Sequence, residues 1–210
     1  MKDIITGLLQ LNIWGMLNIG NYIGARLLEI ICQDSVKANM VQSSIHSMIV
    51  VLGSYLYFIT ENNLLYQSLK LYSMSHLLVD MVYFHLYKNV NQQKNIYTFH
   101  HSVFIMAWVL AEYYSVEIYL RFLLAEITVL PMNLKFYYKN KDANKEIFYG
   151  TMTYVLFLIF RVINFTIQFR EVIGLEYYGV VPLLLPLTML QYYWFYLMTL
   201  KVKKIVLKAQ

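Results

Sequence analysis

Seven side chains in this chain have types that could do chemistry in surroundings where polar groups are scarce. His46, Asp80, His100, His101, Glu126, Asn133 and Arg161 each lie within or at the mouth of a long apolar run. A histidine or charge in hydrocarbon must face a partner, a cavity or water, so each is a candidate functional residue. The adjacent pair His100-His101 opens the run at 96–114. Imidazole titrates near neutral pH, so either ring could act as general base or nucleophile, with Asp80 orienting it. Neighbouring helical residues diverge by about 100°, so one ring can face a cavity while the other packs against a helix. A buried, hydrogen-bonded histidine with no catalytic part is the plainer alternative. Five histidines are too few for a di-iron histidine-box enzyme. Zinc held by His46, His100 and His101 is a minor reading, and no metal is expected. His76 shares a helix face with Asp80, and His85 reads as interfacial.

Glu126 and Arg161 could neutralise each other as a structural ion pair, since an unpaired charge at mid-membrane costs at least ~2.5–3.5 kcal/mol. Glu126 and Asn133 share a face of one helix, and Arg161, Asn164 and Gln168 form a polar stripe on the next.

The elements that must position these groups are membrane helices. Of the 210 residues, 59% are hydrophobic and 14% charged, with 20 Tyr and 12 Phe. A soluble domain carries nearly twice that charge fraction. The apolar runs are about 18–24 residues long, enough to cross a ~30 Å core. The pattern predicts an all-α polytopic membrane protein, a single domain of seven helices at roughly 4–26, 43–60, 64–87, 96–114, 116–138, 147–169 and 177–200. The near-neutral start and Gln10, Asn12 and Asn18 favour an uncleaved first span over a signal peptide. Gln10, Asn18 and Asn21 form a stripe that should face other helices, and Gly20-Asn-Tyr-Ile-Gly24 permits close packing. Pro131, Pro182 and Pro186 should kink their helices. Cys32 is the lone cysteine, so no intrachain disulfide forms.

The net charge of +5 does not indicate nucleic acid, because the basic residues gather in short loops and the tail. Lys88, Lys94, Lys139, Lys141, Lys145 and the Lys201–Lys208 lysines fall on one side of a seven-span layout, which puts the C-terminus in the cytosol. A rise of 1.5 Å per residue puts His46, His100 and His101 about 5–8 Å from that side and Asp80 about 10 Å from it, a common depth that a shared cytosol-facing cavity would need. Glu126 and Arg161 lie deeper. No internal repeat suggests a repeat-built transporter.

In order along the chain, SSIHSMIVV, LLVDMVYF, YTFHHSVF, AEITVLPMNLKFYY and IFRVINF resemble the TLC domain, over about residues 37–204. That group includes translocating-chain-associated membrane proteins, ceramide synthases and small lipid-regulating proteins. The resemblance implies that His46, Asp80, His100, His101, Glu126, Asn133 and Arg161 are the family's polar positions. In the ceramide synthases the double histidine and nearby aspartates are attributed to acyl transfer from acyl-CoA to a sphingoid amine. This chain lacks their extended pattern after the histidines. It is closer to a shorter branch whose signature resembles Glu-x-Ser-Thr-Pro-Phe-x-Asn, read here as Glu126-Ile-Thr128-Val-Leu-Pro131-Met-Asn133.

The expectation is a lipid-metabolism protein of the endoplasmic reticulum that transfers an acyl group to a lipid amine or hydroxyl. His100 and His101 would be catalytic with Asp80, and His46, Glu126, Asn133 and Arg161 would bind substrate or hold structure. No bound cofactor is implied, and a long-chain acyl-CoA would be the co-substrate. The expected partners are membrane lipids and a second copy of the chain. The alternatives are a non-catalytic lipid-binding or lipid-regulating protein, and a cargo or transport factor.

Overall fold

The computed structural model describes residues 2–86, 94–111 and 116–209, and it is all-helical, with no strand among the described residues. The described residues form seven helical rods, as the apolar pattern predicts. Contacts group the chain into two compact units, Met1–Trp108 and Val109–Gln210.

In the first unit the helices are α1 (Lys2–Cys32), α2 (Ser35–Thr60), α3 (Asn63–Leu86) and α4 (Lys94–Ala111). Helix α2 starts at Ser35 rather than near residue 43, because Asp34 caps it. The Asp34 carboxylate accepts from Val36 N at 2.9 Å and Lys37 N at 3.3 Å, satisfying two donors that a helix start leaves unpaired. These bonds, that to Lys37 first, hold the Asp34 carboxyl below its ordinary range. The cap's contribution is therefore complete above the ordinary carboxylate value and is lost as pH falls through the lowered one. With α2 starting at Ser35, His46 lies about three turns inside it. Glu61 closes the helix in the left-handed conformation, its N–H bonded to Tyr57 O at 2.7 Å.

Helix α2 buries a small and polar face of His46, Ser47, Val50, Gly53 and Ser54. Its opposite stripe, Ile45, Met48, Ile49, Leu52, Tyr55, Leu56 and Ile59, is apolar and exposed, with Leu52 at 62% and Ile59 at 63%. Polar inside and apolar outside is the reverse of a water-soluble helix. Asn21 of α1 donates to Ser75 Oγ of α3 at 2.8 Å, so this member of the expected stripe turns toward a neighbouring helix, and the side chain of Gln10 lies outside the described ones.

In the second unit, α5 (Val116–Leu123), a 3₁₀ segment (Leu124–Thr128) and α6 (Val129–Tyr138) make one rod. The next rod is α7 (Ala143–Phe157), a π segment (Leu158–Ile163) and α8 (Asn164–Gly174), and α9 (Val181–Ala209) follows. The 3₁₀ segment ends three residues before Pro131 and contains Ile127, whose carbonyl the proline ring would crowd in an unbroken α-helix. Helix α9 starts at Val181 rather than near 177, so Pro182 occupies its first turn, where a missing N–H breaks no bond. Pro186 lies inside it. At the α6–α7 turn Asp142 caps α7, accepting from Lys145 N at 3.1 Å. Among the described residues, three stretches are long and apolar enough to cross a membrane: Val36–Thr60, Ala143–Gly174 and Val181–Lys204.

Candidate functional site

The first unit gathers titratable side chains from three helices. His46 of α2 stacks on His76 of α3, with ring centroids 3.7 Å apart and planes 12° from parallel. Tyr72, one turn before His76, also stacks on His46 at 5.4 Å. Asp80 follows His76 by one turn, and its Oδ2 is 3.5 Å from His76 Nε2. At that length the pair is a close electrostatic contact rather than a short hydrogen bond. His101 of α4 lies within electrostatic range of both His46 and Asp80. Ser102, beside it, donates to Met81 Sδ of α3 at 3.5 Å.

His46, His76, Asp80, His100 and His101 are all buried, none exceeding 8% exposure. His46 Nδ1, His76 Nδ1 and Asp80 Oδ1 have no hydrogen-bond partner among the described residues. Buried polar atoms are rarely left so, and the cluster has room in its hydrogen bonding for a polar guest. The two adjacent histidines do diverge. Their rings are 5.7 Å apart, and His100 packs edge-on to Phe104 at 4.8 Å.

The spacing therefore brings His46, Asp80 and His101 together and turns His100 onto an aromatic neighbour. Sequence reasoning placed His76 on the Asp80 face but left it out of the candidate site, although it stacks on His46 and stands beside Asp80. The available signal was its i,i+4 spacing to Asp80, which puts both on one face. What sequence could not show is that His46 arrives against that face. One groove among the described residues of this unit is lined by other side chains. That groove, about 330 Å³, is lined by Asn18, Ile19, Tyr22, Leu78, Val79 and Val82 of α1 and α3 and by none of the histidines. Among the described residues no group of three or more His, Cys, Asp and Glu side chains is arranged to hold a metal ion. Lys88 and the side chains of Lys94 and His85 lie outside the described ones.

The second unit holds the other polar centre. Arg161, on the π segment, is buried, with Nη2 3.7 Å from Glu126 Oε1 on the facing 3₁₀ segment. Its Nε donates to Thr128 Oγ1 at 2.8 Å and to Ala125 O at 3.3 Å, and its Nη1 to Gln191 Oε1 at 3.5 Å. The guanidinium also lies over the Phe157 ring at 5.4 Å. Both departures from α-geometry thus meet at one buried cation, with the 3₁₀ carbonyl of Ala125 turned to accept from it. Asn133 is half-buried about two turns beyond Glu126, on α6.

The chain was compared with protein-family models, with curated proteins and with solved structures, and none of these matches it.

Proposed function

We propose that this chain is a seven-span membrane protein of the endoplasmic reticulum, with a cytosolic C-terminus, that acts in lipid metabolism in the manner of the TLC domain its motifs resemble. The reaction is acyl transfer from a long-chain acyl-CoA to a lipid amine or hydroxyl. The observation that carries this reading is the buried His46–His76–Asp80–His101 cluster, in a unit whose outer surface is apolar. Buried titratable groups on apolar helices are costly, and they are kept where they handle a proton or a polar substrate.

In the reaction the nucleophile attacks the thioester carbonyl, the new C–N or C–O bond forms, and the C–S bond to CoA breaks. His101 takes the proton released by the amine or hydroxyl and returns it to the departing thiolate. Asp80, close to His101, favours the imidazolium formed in between. His46 and His76 offer their open Nδ1 atoms to the substrate's polar end.

A non-catalytic lipid-binding role is the second reading. The tight His46–His76 stack and a groove lined without any histidine favour it.

Lipid analysis of membranes expressing the chain, His101→Ala or Asp80→Asn tests the first reading against the second. Catalysis requires a lipid change that His101→Ala abolishes and Asp80→Asn weakens, with all three proteins equally abundant and equally stable to heat. A lipid change that survives His101→Ala leaves the non-catalytic role. No change with any variant removes both.

A further inference from the structure

The second unit carries a polar seam that the acyl-transfer reading does not use. Along the rod of α7 and α8, Arg161, Asn164, Gln168 and Glu171 recur at intervals of three and four, so they share one face. The facing rod answers three of them, Arg161, Asn164 and Glu171. Arg121 Nη1 is 3.0 Å from Glu171 Oε2, and Arg121 O accepts from Asn164 Nδ2 at 2.7 Å. Thr128 Oγ1 and Ala125 O accept from Arg161 Nε. The seam therefore runs from the half-exposed Arg121–Glu171 pair to the buried Arg161, inside the stretch Ala143–Gly174 that is apolar enough to cross a membrane.

Two buried amides along this seam are incompletely bonded, and their orientations are fixed. Asn164 donates to Arg121 O, so its oxygen receives Gln168 Nε2 at 3.4 Å, which leaves Gln168 Oε1 with no partner among the described residues. Gln191 must turn Oε1 toward Arg161, which leaves its Nε2 likewise. Flipping Gln168 would set its oxygen against the Asn164 oxygen, and flipping Gln191 would set its nitrogen against the Arg161 guanidinium, so neither orphan is a matter of assignment. Gln168 is 3% exposed and Gln191 fully buried. One stray acceptor and one stray donor, at sites closed to bulk solvent, are what internal water satisfies, at about three hydrogen bonds each.

We propose that this seam is a hydrated half-channel: a file of water enters beside Arg121–Glu171, passes Gln168 and Asn164, and ends at Arg161, Glu126 and Gln191. Because Glu126 offsets Arg161, the inner end is close to neutral and takes water or a small neutral hydroxyl compound rather than a phosphate.

Single cysteines at Asn164, Gln168, Ile163 and Ile167, in a Cys32→Ser background, test this with a negatively charged thiosulfonate reagent on permeabilised membranes. Ile163 and Ile167 are exposed on the apolar face. Gln168→Cys and Asn164→Cys should react at least about tenfold faster than the isoleucine variants, because the reactive thiolate forms only in water. Equal, slow labelling at all four sites means a dry seam and overturns the proposal. Fast labelling at Ile163 and Ile167 as well means that the stretch does not sit in lipid, and that fails the span reading itself. Hydroxyl-radical footprinting of the unaltered protein adds a check without substitution. Phe157, buried against Arg161, should be oxidised more than Phe122, which is buried against Phe165. Equal protection of the two rings counts against the water file.

Discussion

At the scale of residues, the chain puts charge where hydrocarbon surrounds it and keeps it there by pairing. Arg161 is the clearest case, because each of its nitrogens has a protein acceptor within 3.7 Å. Its partners are unequal. Thr128 and Ala125 meet it at hydrogen-bond length, whereas Glu126 stands at 3.7 Å with its side chain 20% exposed. Removing Arg161 takes a cation from beside Glu126 and empties the centre of the network, while removing Glu126 leaves the guanidinium its hydrogen bonds to Thr128 and Ala125. Arg161→Gln should therefore cost most, about 3–5 kcal/mol, the range found when one partner of a buried pair is lost. Glu126→Gln should cost less, and the double variant less than the two summed. Thermal unfolding in detergent measures all three, and identical melting would mean that the pair contributes nothing.

At the scale of elements, packing depends on a glycine that carries no motif. A Cβ placed at Gly53 of α2 would collide with the Leu69 side chain of α3, whose Cγ would lie 3.0 Å away. Leu69 is buried, so it has little room to withdraw. The Gly20–Gly24 pair, which sequence suggested for close packing, meets nothing within 4 Å among the described residues. Gly53→Ala should thus destabilise by about 1–3 kcal/mol, the usual cost of overpacking. Gly20→Ala and Gly24→Ala should be neutral or slightly stabilising, as better helix formers. Melting temperatures of the three single variants decide it, and a larger loss at Gly20 or Gly24 than at Gly53 would reverse the assignment. Buried Ser47, Ser54, Ser73 and Ser75 complete the small-residue packing of α2 and α3, as is common between helices in lipid.

For the molecule as a whole, the question is where its ends lie. The second unit collects Lys139, Lys141 and Lys145 at the α6–α7 turn, and the same end of the helical hairpin carries Lys135, whose stem lies 3.7 Å from a Cβ built at Gly150. Lys201, near the end of α9, interacts electrostatically with Lys135, so lysines distant in sequence share one end of that unit. Such a collection favours the cytosolic side. A tag after Gln210 should be digested by protease added to sealed microsomes. A protected tag would reverse the orientation, and with it the side from which the proposed acyl donor would arrive.

The sequence by itself determined the all-helical class, the number of rods and the polar residues that had to be accounted for. Those follow from composition and from a period of about 3.6 residues, and both are local properties. It also made Glu126 and Arg161 natural partners, since few other charges share their depth. Helix ends were less legible. Asp34 and Pro182 carried the signals for two of them, but the apolar runs alone set the starts too late and too early respectively. Only tertiary structure decided that His46 lies on His76, that Asp80 stands beside His76 while His101 approaches, and that the 3₁₀ and π segments turn toward one arginine. Such pairings depend on the rotation and register of one helix against another. Side chains distant in sequence fix these jointly through packing, and no window along the chain contains both partners.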